Sequence, residues 1–268
     1  MTTTARHDAW QAGDSYEHYM GRWSRQIAPR FLDWLGLRDG LDWLEVGCGT
    51  GALSAGIVAR CAPRSLLAID PSEGLLAKAR ASVADARVTF QVGDARALPV
   101  DAASRDAVVS ALVLNFVADR ERALAEMKRV ARPGATVGFY VWDYPGGGVE
   151  FMRAFWRAAT ELDAGAADLT EDKRFPFCTR DGLCALVSSA GLASPDVTAI
   201  EAPTLFKDFD DYWRPFTLGT GPAPGYCTSV APEARQRLKE RLSDSLPRRE
   251  DGSIHLATRA WAVRATVN

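Results

Sequence analysis

No Cys-x-x-Cys pair occurs in this sequence. Its five cysteines, Cys48, Cys61, Cys178, Cys184 and Cys227, are odd in number and scattered, so neither a zinc site nor a disulfide framework is indicated and reduced thiols are expected. No apolar run approaches the ~18 residues of a membrane span, and the opening MTTTARHDAWQAGDSYEHYMGRWSRQ lacks the apolar core of an export signal. Neither membrane insertion nor export is expected, and the sequence reads as cytoplasmic. An excess of one charge is missing too: 32 Lys and Arg face 34 Asp and Glu, a net charge of −2, and no basic run carries interleaved aromatics. Nucleic acid is therefore not the expected partner. Internal repeats and low-complexity tracts are absent, no metal is expected, and only His7, His18 and His255 are available as imidazole bases.

What is present is ordinary globular composition, 47% hydrophobic and 25% charged over 268 residues. That is enough chain for one large α/β domain, or for such a domain with a smaller appended unit. Short apolar runs bounded by turn residues fall at 42–46 (DWLEV), 66–69 (LLAI), 88–92 (VTFQV), 106–112 (DAVVSAL) and 136–142 (TVGFYVW). Runs of this length read as buried parallel strands. Between them helices are predicted over 51–60, with Leu53 and Ile57 on one face, and over 72–83, after Pro71-Ser72. A third is predicted over 119–131, where Asp119 is a good N-cap and Leu124, Met127 and Val130 form an apolar stripe ending before Pro133-Gly134. Strands alternating with helices predict a doubly wound parallel sheet whose ligand lies at the carboxyl ends of the strands. Beyond residue 150 the rhythm stops. A helix opens 151–178, another starts at Thr179, a strand is predicted over 196–202, and an aromatic segment leads into a Gly/Pro-rich loop. A charged helix over 231–246 and a terminal strand follow, so this half reads as sheet completion interrupted by a helical lid.

The densest chemical signal is DWLEVGCGTGALS, residues 42–54, which sets three glycines after a buried strand. Glycines there permit a tight turn and let a ligand lie against bare backbone at a helix N-terminus. Gly47, Gly49 and Ala52 by themselves satisfy the dinucleotide fingerprint. Asp70 closes the next apolar run, 21 residues beyond Gly49, where a carboxylate accepts both hydroxyls of a ribose. These features admit NAD and other adenosine ligands alike. Two further features bear on the choice: Glu45 precedes Gly47, and Gly93-Asp94-Ala95 follows the third strand, where a carboxylate can receive an adenine exocyclic amine.

The segments LEVGCGTG, AIDPSEGLL, VGDARALPV, DAVVSALVLNFVAD and MKRVARPGATVGFYVW, in this order and spacing, resemble class I S-adenosylmethionine-dependent methyltransferases, and more closely the small-molecule type that includes ubiquinone and menaquinone C-methyltransferases. The resemblance covers residues 40–143 strongly, and 14–30 and 179–200 more loosely. It implies a Rossmann-like, seven-stranded doubly wound α/β sheet with the last strand antiparallel, and S-adenosyl-L-methionine as cofactor. That ligand carries a sulfonium, an ammonium and a carboxylate but no diphosphate, so acidic and carbonyl surroundings suit it. By the resemblance Gly47, Cys48 and Gly49 lie against its methionine and ribose, Asp70 takes the ribose hydroxyls, Pro71 and Ser72 flank the adenine, and Gly93, Asp94 and Ala95 hold its amine edge. Glu45 orients the loop or its bound water, and carbonyls near Ala111 and Leu112 face the ammonium. The segment YEHYMGRWSR resembles the part that folds over the cofactor, with Tyr16, Tyr19, Arg22, Trp23 and Ser24 as candidates and an Arg available for the donor's carboxylate; a docking helix whose aromatics merely pack is the other reading.

Methyl transfer is an in-line displacement that alignment and exclusion of water can accelerate without an acid–base residue. His18, Asp143 and Tyr144 are candidates should a base be used. Asn115, Phe116, Trp142, Tyr144, Trp156 and Trp213 are acceptor-pocket candidates, with Phe155, Phe206, Phe209, Tyr212 and Phe216 nearby and residues 219–225 as a mobile flap. The same rings also read as the core of the lid. Cys48 reads as a packing residue, since sulfonium chemistry needs no covalent enzyme intermediate. One domain over 1–268 is expected, with an N-terminal cap (1–39), a cofactor core (40–144), lid insertions (145–178 and 205–250) and sheet completion (179–204 and 251–268). The expected reaction is methylation of a small organic acceptor. A nicotinamide oxidoreductase and a non-catalytic adenosine-binding subunit stay as alternatives.

Overall fold

The computed structural model describes residues 17–219 and 221–268, with Glu17 and His18 described in backbone only. A π-helical turn (Glu17–Gly21) runs into α1 (Arg22–Leu35). Then follow β1 (Asp42–Val46), α2 (Ala52–Arg60), β2 (Ser65–Asp70), α3 (Glu73–Ser82), β3 (Val88–Val92), β4 (Arg105–Ala111), α4 (Arg120–Val130) and β5 (Ala131–Trp142). The later half adds α5 (Glu150–Leu162), the short α6 (Glu171–Arg174), α7 (Arg180–Ser189), β6 (Ala193–Phe206), α8 (Phe209–Trp213), α9 (Pro222–Ser229), α10 (Pro232–Ser245) and β7 (Ile254–Thr266). Helix starts follow local chemistry: Ser72, Asp119 and Thr179 each accept, through the side chain, an N–H from the first turn of α3, α4 and α7. No helix among the described residues is long and apolar enough to cross a membrane.

The seven strands form one sheet in the order β3-β2-β1-β4-β5-β7-β6. Strands β1 to β5 pair in parallel, and β7 runs antiparallel to β5, from Thr136 opposite Thr266 to Trp142 opposite Ala260. This is the Rossmann-like sheet with an antiparallel last strand expected from the sequence. The order turns back between β1 and β4, and in such sheets that switch point is where a ligand binds.

The chain divides into two compact units. One comprises Ser24–Trp142, Phe177–Ile200 and Ala260–Asn268; its core includes Ile27 and Phe31 of α1 and Trp43, Leu44, Phe139 and Tyr140 of the sheet, all buried. The other comprises residues up to Trp23 with Asp143–Pro176 and Glu201–Arg259. It is built on aromatics: Phe155 stacks on Phe216 at 4.4 Å, Tyr19 meets Phe151 and Phe216 edge-on, and the Tyr212 hydroxyl donates to the Phe151 carbonyl at 2.7 Å.

Three boundaries differ from the sequence reading. Strand β5 starts at Ala131 rather than 136, because a register shift between Arg105 and Ala107 of β4 accommodates Pro133 and Gly134. Strand β6 runs over 193–206 rather than 196–202, carrying Pro203 on an edge strand, where a missing N–H goes unmissed. The expected 219–225 flap is mostly helix: Pro222 and Pro224 lie in the first turn of α9, where no intrahelical N–H bond is required, and Gly225 donates to Gly221 at 2.8 Å.

Candidate active site

Within the sheet unit, β1 ends at Val46 and the chain turns through Gly47 (φ +77°) and Gly49 (φ +54°), a region that side chains rarely enter. A Cβ on Gly47 would lie 2.4 Å from the Val113 side chain, whereas one on Gly49 meets no described atom within 4 Å. The first glycine allows a close approach; the second leaves bare backbone beside open space. Gly47 and Cys48 donate to the Ile69 carbonyl at 2.7 and 3.0 Å, and Gly49 donates to Asp70 Oδ2 at 2.9 Å. Asp70 Oδ1 receives the Ser72 N–H at 2.9 Å. Burial raises the Asp70 pKa, and these two N–H donors oppose that rise. An ionised carboxylate offers about four lone-pair sites, so each oxygen keeps capacity for a ligand hydroxyl. Pro71 and Ser72 lead from Asp70 into α3.

Glu45, wholly buried on β1, accepts from the Ser54 hydroxyl of α2. Burial pushes its carboxyl up to about 8 despite that bond, and the charge of Asp70 adds to the rise. Cys48 packs with Ala68, Leu76 and Phe90. Burial, with Glu45 and Asp70 adding to it, raises its thiol far above the usual range; it stays protonated and is no nucleophile. Two carboxyl groups, exposed glycine backbone and no reactive thiol suit a cationic nucleoside with a ribose.

At the end of β3, Gly93 leaves no room for a Cβ, which would lie 2.6 Å from Ile69 Cγ2. Asp94 and Ala95 begin the turn beyond it. Asp94 is bound by Arg96 of its own turn at 2.5 Å, which holds its carboxyl down to about 2, a partner the sequence reading did not foresee. After Ala111 closes β4, Leu112 takes φ +59° and donates to the Tyr140 carbonyl at 2.8 Å. A leucine held left-handed at a strand end is strained, as residues at functional sites often are. Asn115 is buried with its Nδ2 lacking a hydrogen-bond partner among the described residues, while Phe116 is part-exposed. Ser24 and Trp142 are buried in this unit too.

In the other unit several candidates are already engaged. Arg22 binds Asp211 at 2.8 and 3.1 Å and the Leu205 carbonyl at 2.9 Å, lying over the rings of Trp23 and Phe206. This corrects the expectation of a guanidinium free for a ligand carboxylate: a nearer carboxylate in its own unit takes it. Trp23 packs on Phe151 and Phe206. Asp143, a candidate base, is corrected likewise: it is buried, bridged to Arg259 and bonded to the Gly146 N–H at 2.9 Å, and so serves structure. Trp213 packs on Phe216, itself stacked on Phe155. Most of the rings expected around an acceptor thus form the aromatic core of this unit, where their neighbours desolvate them. His18's side chain, Tyr16 and Thr220 of the expected flap lie outside the described residues.

Tyr144 and Trp156 do line a cavity of about 320 Å³, with Val149, Met152 and Glu171. Glu171 was missed from sequence. In LTEDKR it looks like one more solvated acid at a helix start, yet it is 3% exposed and accepts from the Trp156 indole N–H. A Trp fifteen residues upstream was the only available hint. The Tyr19 hydroxyl, also buried, has no hydrogen-bond partner among the described residues.

The sheet order and the glycine turn define a class I S-adenosylmethionine-dependent methyltransferase domain. Residues 44–139 match the family model described as a methyltransferase domain. An uncharacterized 37.1 kDa protein of transposon TN4556 from Streptomyces fradiae is 35% identical over 148 residues, 52% of this chain and 42% of that protein. The ubiquinone/menaquinone biosynthesis C-methyltransferase of Geobacter sulfurreducens is 32% identical over 118 residues, 42% of this chain and 44% of that protein. The chain thus spans about half the length of the curated relatives it matches. The solved structure of Haemonchus contortus phosphoethanolamine N-methyltransferase 2 in complex with S-adenosyl-L-methionine has a TM-score of 0.59 at 16% identity, covering 95% of this chain and 56% of that one; at that identity the likeness is one of fold.

Proposed function

We propose that the protein transfers a methyl group from S-adenosylmethionine to a small organic acceptor, releasing S-adenosylhomocysteine. The observation that carries this reading is Asp70: its carboxylate is fixed by the N–H groups of Gly49 and Ser72 at the carboxyl end of β2, beside bare glycine backbone at the end of β1. S-adenosylmethionine, when bound, supplies a methyl group made electrophilic by its sulfonium sulfur. Gly47, Cys48 and Gly49 give it a smooth backbone wall, and Asp70 accepts its ribose hydroxyls. Pro71 and Ser72 flank the adenine, and Asp94, shared with Arg96, takes the amine edge beside Gly93 and Ala95. The carbonyls of Ala111 and Leu112 receive the ammonium. Glu45, neutral at physiological pH, holds α2 to β1 through Ser54 without adding a full charge near Asp70.

Asn115 and Phe116, after β4 in the sheet unit, are the acceptor contacts of this reading. The likeness to a quinone C-methyltransferase supports a flat or apolar acceptor. Transfer in line needs alignment and a dry site rather than a proton shuttle. Calorimetric titration with S-adenosylhomocysteine and, separately, with NADH tests the reading. Binding of the former alone, with labelled methyl appearing in an acceptor panel, is expected; binding of NADH alone would sink it.

A further inference from the structure

The aromatic unit holds a carboxyl group that the methyl-transfer chemistry does not use. Glu171 is buried, and one of its oxygens is spoken for by the Trp156 indole N–H, while Oε1 has no hydrogen-bond partner among the described residues. Such a group is not left idle in a packed interior without reason. It stands in the wall of the 320 Å³ cavity, whose other walls include Val149, Met152 and the rings of Tyr144 and Trp156. That volume lies at the lower end of the range for small-molecule pockets, roughly 300–1,000 Å³, which typically pair apolar walls with a few fixed polar groups. The Tyr19 hydroxyl, unpartnered as well, is close enough to feel the charge of Glu171.

We propose that this cavity binds a small hydroxyl-bearing molecule with an apolar body, and that Glu171 Oε1 reads the hydroxyl. The proposal goes beyond the methyl-transfer reading and does not rest on it. A hydroxyl fits because it works in both protonation states of the carboxyl. When Glu171 is neutral, Trp156 claims the lone pair of Oε2, so the proton resides on Oε1 and is donated to the ligand oxygen. When Glu171 is ionised, Oε1 accepts the ligand's O–H instead. An ether satisfies only the first arrangement. An ammonium fits poorly, since Arg153 and Arg157 of α5 also line the cavity against one exposed acid, Asp172, and the neutral Glu171 carboxyl offers it no counter-charge.

Burial pushes Glu171 up to about 8, with the Trp156 bond and Arg174 acting the other way and Asp172 adding to the rise. Among the groups that face it, the Tyr19 hydroxyl is itself pushed well upward by burial, so Glu171 is the group that titrates between about pH 6 and 9.

The test uses the whole chain without S-adenosylmethionine and three probes: 2-naphthalenemethanol, its methyl ether and 2-methylnaphthalene. Binding is followed through the methyl resonance of Met152 in the cavity wall. At about pH 6 alcohol and ether bind alike and better than the hydrocarbon. At about pH 9 the alcohol holds its affinity while the ether loses about tenfold, because an ionised Oε1 faces an oxygen with no proton to give. In Glu171→Gln the amide oxygen still accepts from Trp156 and the amide N–H replaces Oε1, so alcohol and ether stay together at both pH values. The proposal is overturned if the two probes track together in the native protein up to pH 9, if Met152 does not respond to any probe, or if Glu171→Gln keeps the native pH dependence. The native pH series decides even if the variant does not fold. A negative result here leaves the methyl-transfer reading to its own titration, which involves neither probe nor cavity.

Discussion

Gly47 and Gly49 share a left-handed backbone but not their surroundings, and that difference separates folding from binding. Alanine at Gly47 meets both the strain of its φ and the Val113 side chain, a combination expected to destabilise by about 2–4 kcal/mol in urea unfolding. Alanine at Gly49 meets only the backbone strain, about 1–2 kcal/mol, yet its methyl projects into the open space where the ligand would lie. Affinity for S-adenosylhomocysteine should fall at least about tenfold in Gly49→Ala, a loss larger than its instability explains. Equal losses of affinity in both variants, scaling with stability alone, would count against the ligand's placement. Cys48 makes the converse case. Its thiol is held protonated by burial, so Cys48→Ala should keep affinity within about threefold, and a thiol reagent at neutral pH should leave Cys48 unmodified in the folded protein.

At the scale of elements, the contrast between the sheet unit and the aromatic unit shows what a sequence can and cannot tell. Buried parallel strands such as DWLEV and SLLAID read plainly, because both faces are covered and no alternation dilutes the apolar run. The turns that end them read as well, since glycines after one strand and an aspartate closing the next are a spacing that a tight turn and a ribose both require. The aromatic unit did not. Pro222 and Pro224 signal a loop to any local rule, and their place in a first helical turn emerges only from packing. Asp143 and Glu171 are both acids past predicted elements, yet one pairs with a distant Arg259 and the other with a Trp, and neither partner is marked by spacing. The structural role of Asp143 has a measurable consequence. Asp143→Ala removes the buried carboxylate that Arg259 and the Gly146 N–H share, leaving Arg259 only its weaker contacts with the Gly146 carbonyl and Glu201, and should cost about 2–4 kcal/mol of stability. Asp143→Asn, which still accepts from Gly146, should recover part of this and keep methyl transfer within about fivefold. A hundredfold or greater loss of turnover in a stable Asn variant would restore Asp143 as a base.

For the whole molecule, the buried carboxyls set how stability depends on pH. Glu45 and Glu171 are each raised from an ordinary 4.5 to about 8, chiefly by burial. In the unfolded chain both are ionised above pH 4.5, whereas in the folded chain both keep a proton until about pH 8. Across that window the folded state binds more protons than the unfolded state, so stability falls as pH rises and levels off above about pH 8. Asp42, held below its ordinary 3.8 mainly by Arg64, and Asp94, held at about 2 mainly by Arg96, act with the opposite sign. Their contribution is present above pH 3.8 and is lost as pH falls through their folded values. The two trends place the stability maximum at about pH 5, the acidic end of the usual range. Urea unfolding at intervals from about pH 4 to 9 should trace that maximum and the decline toward pH 8. The double variant Glu45→Gln, Glu171→Gln keeps the acceptors for Ser54 and Trp156 but removes both titrations, and should flatten the decline while leaving the acid limb in place. A native profile that rises from about pH 5 to 8 would mean that water reaches these carboxyls in solution, and the neutral role given to Glu45 would fall with it.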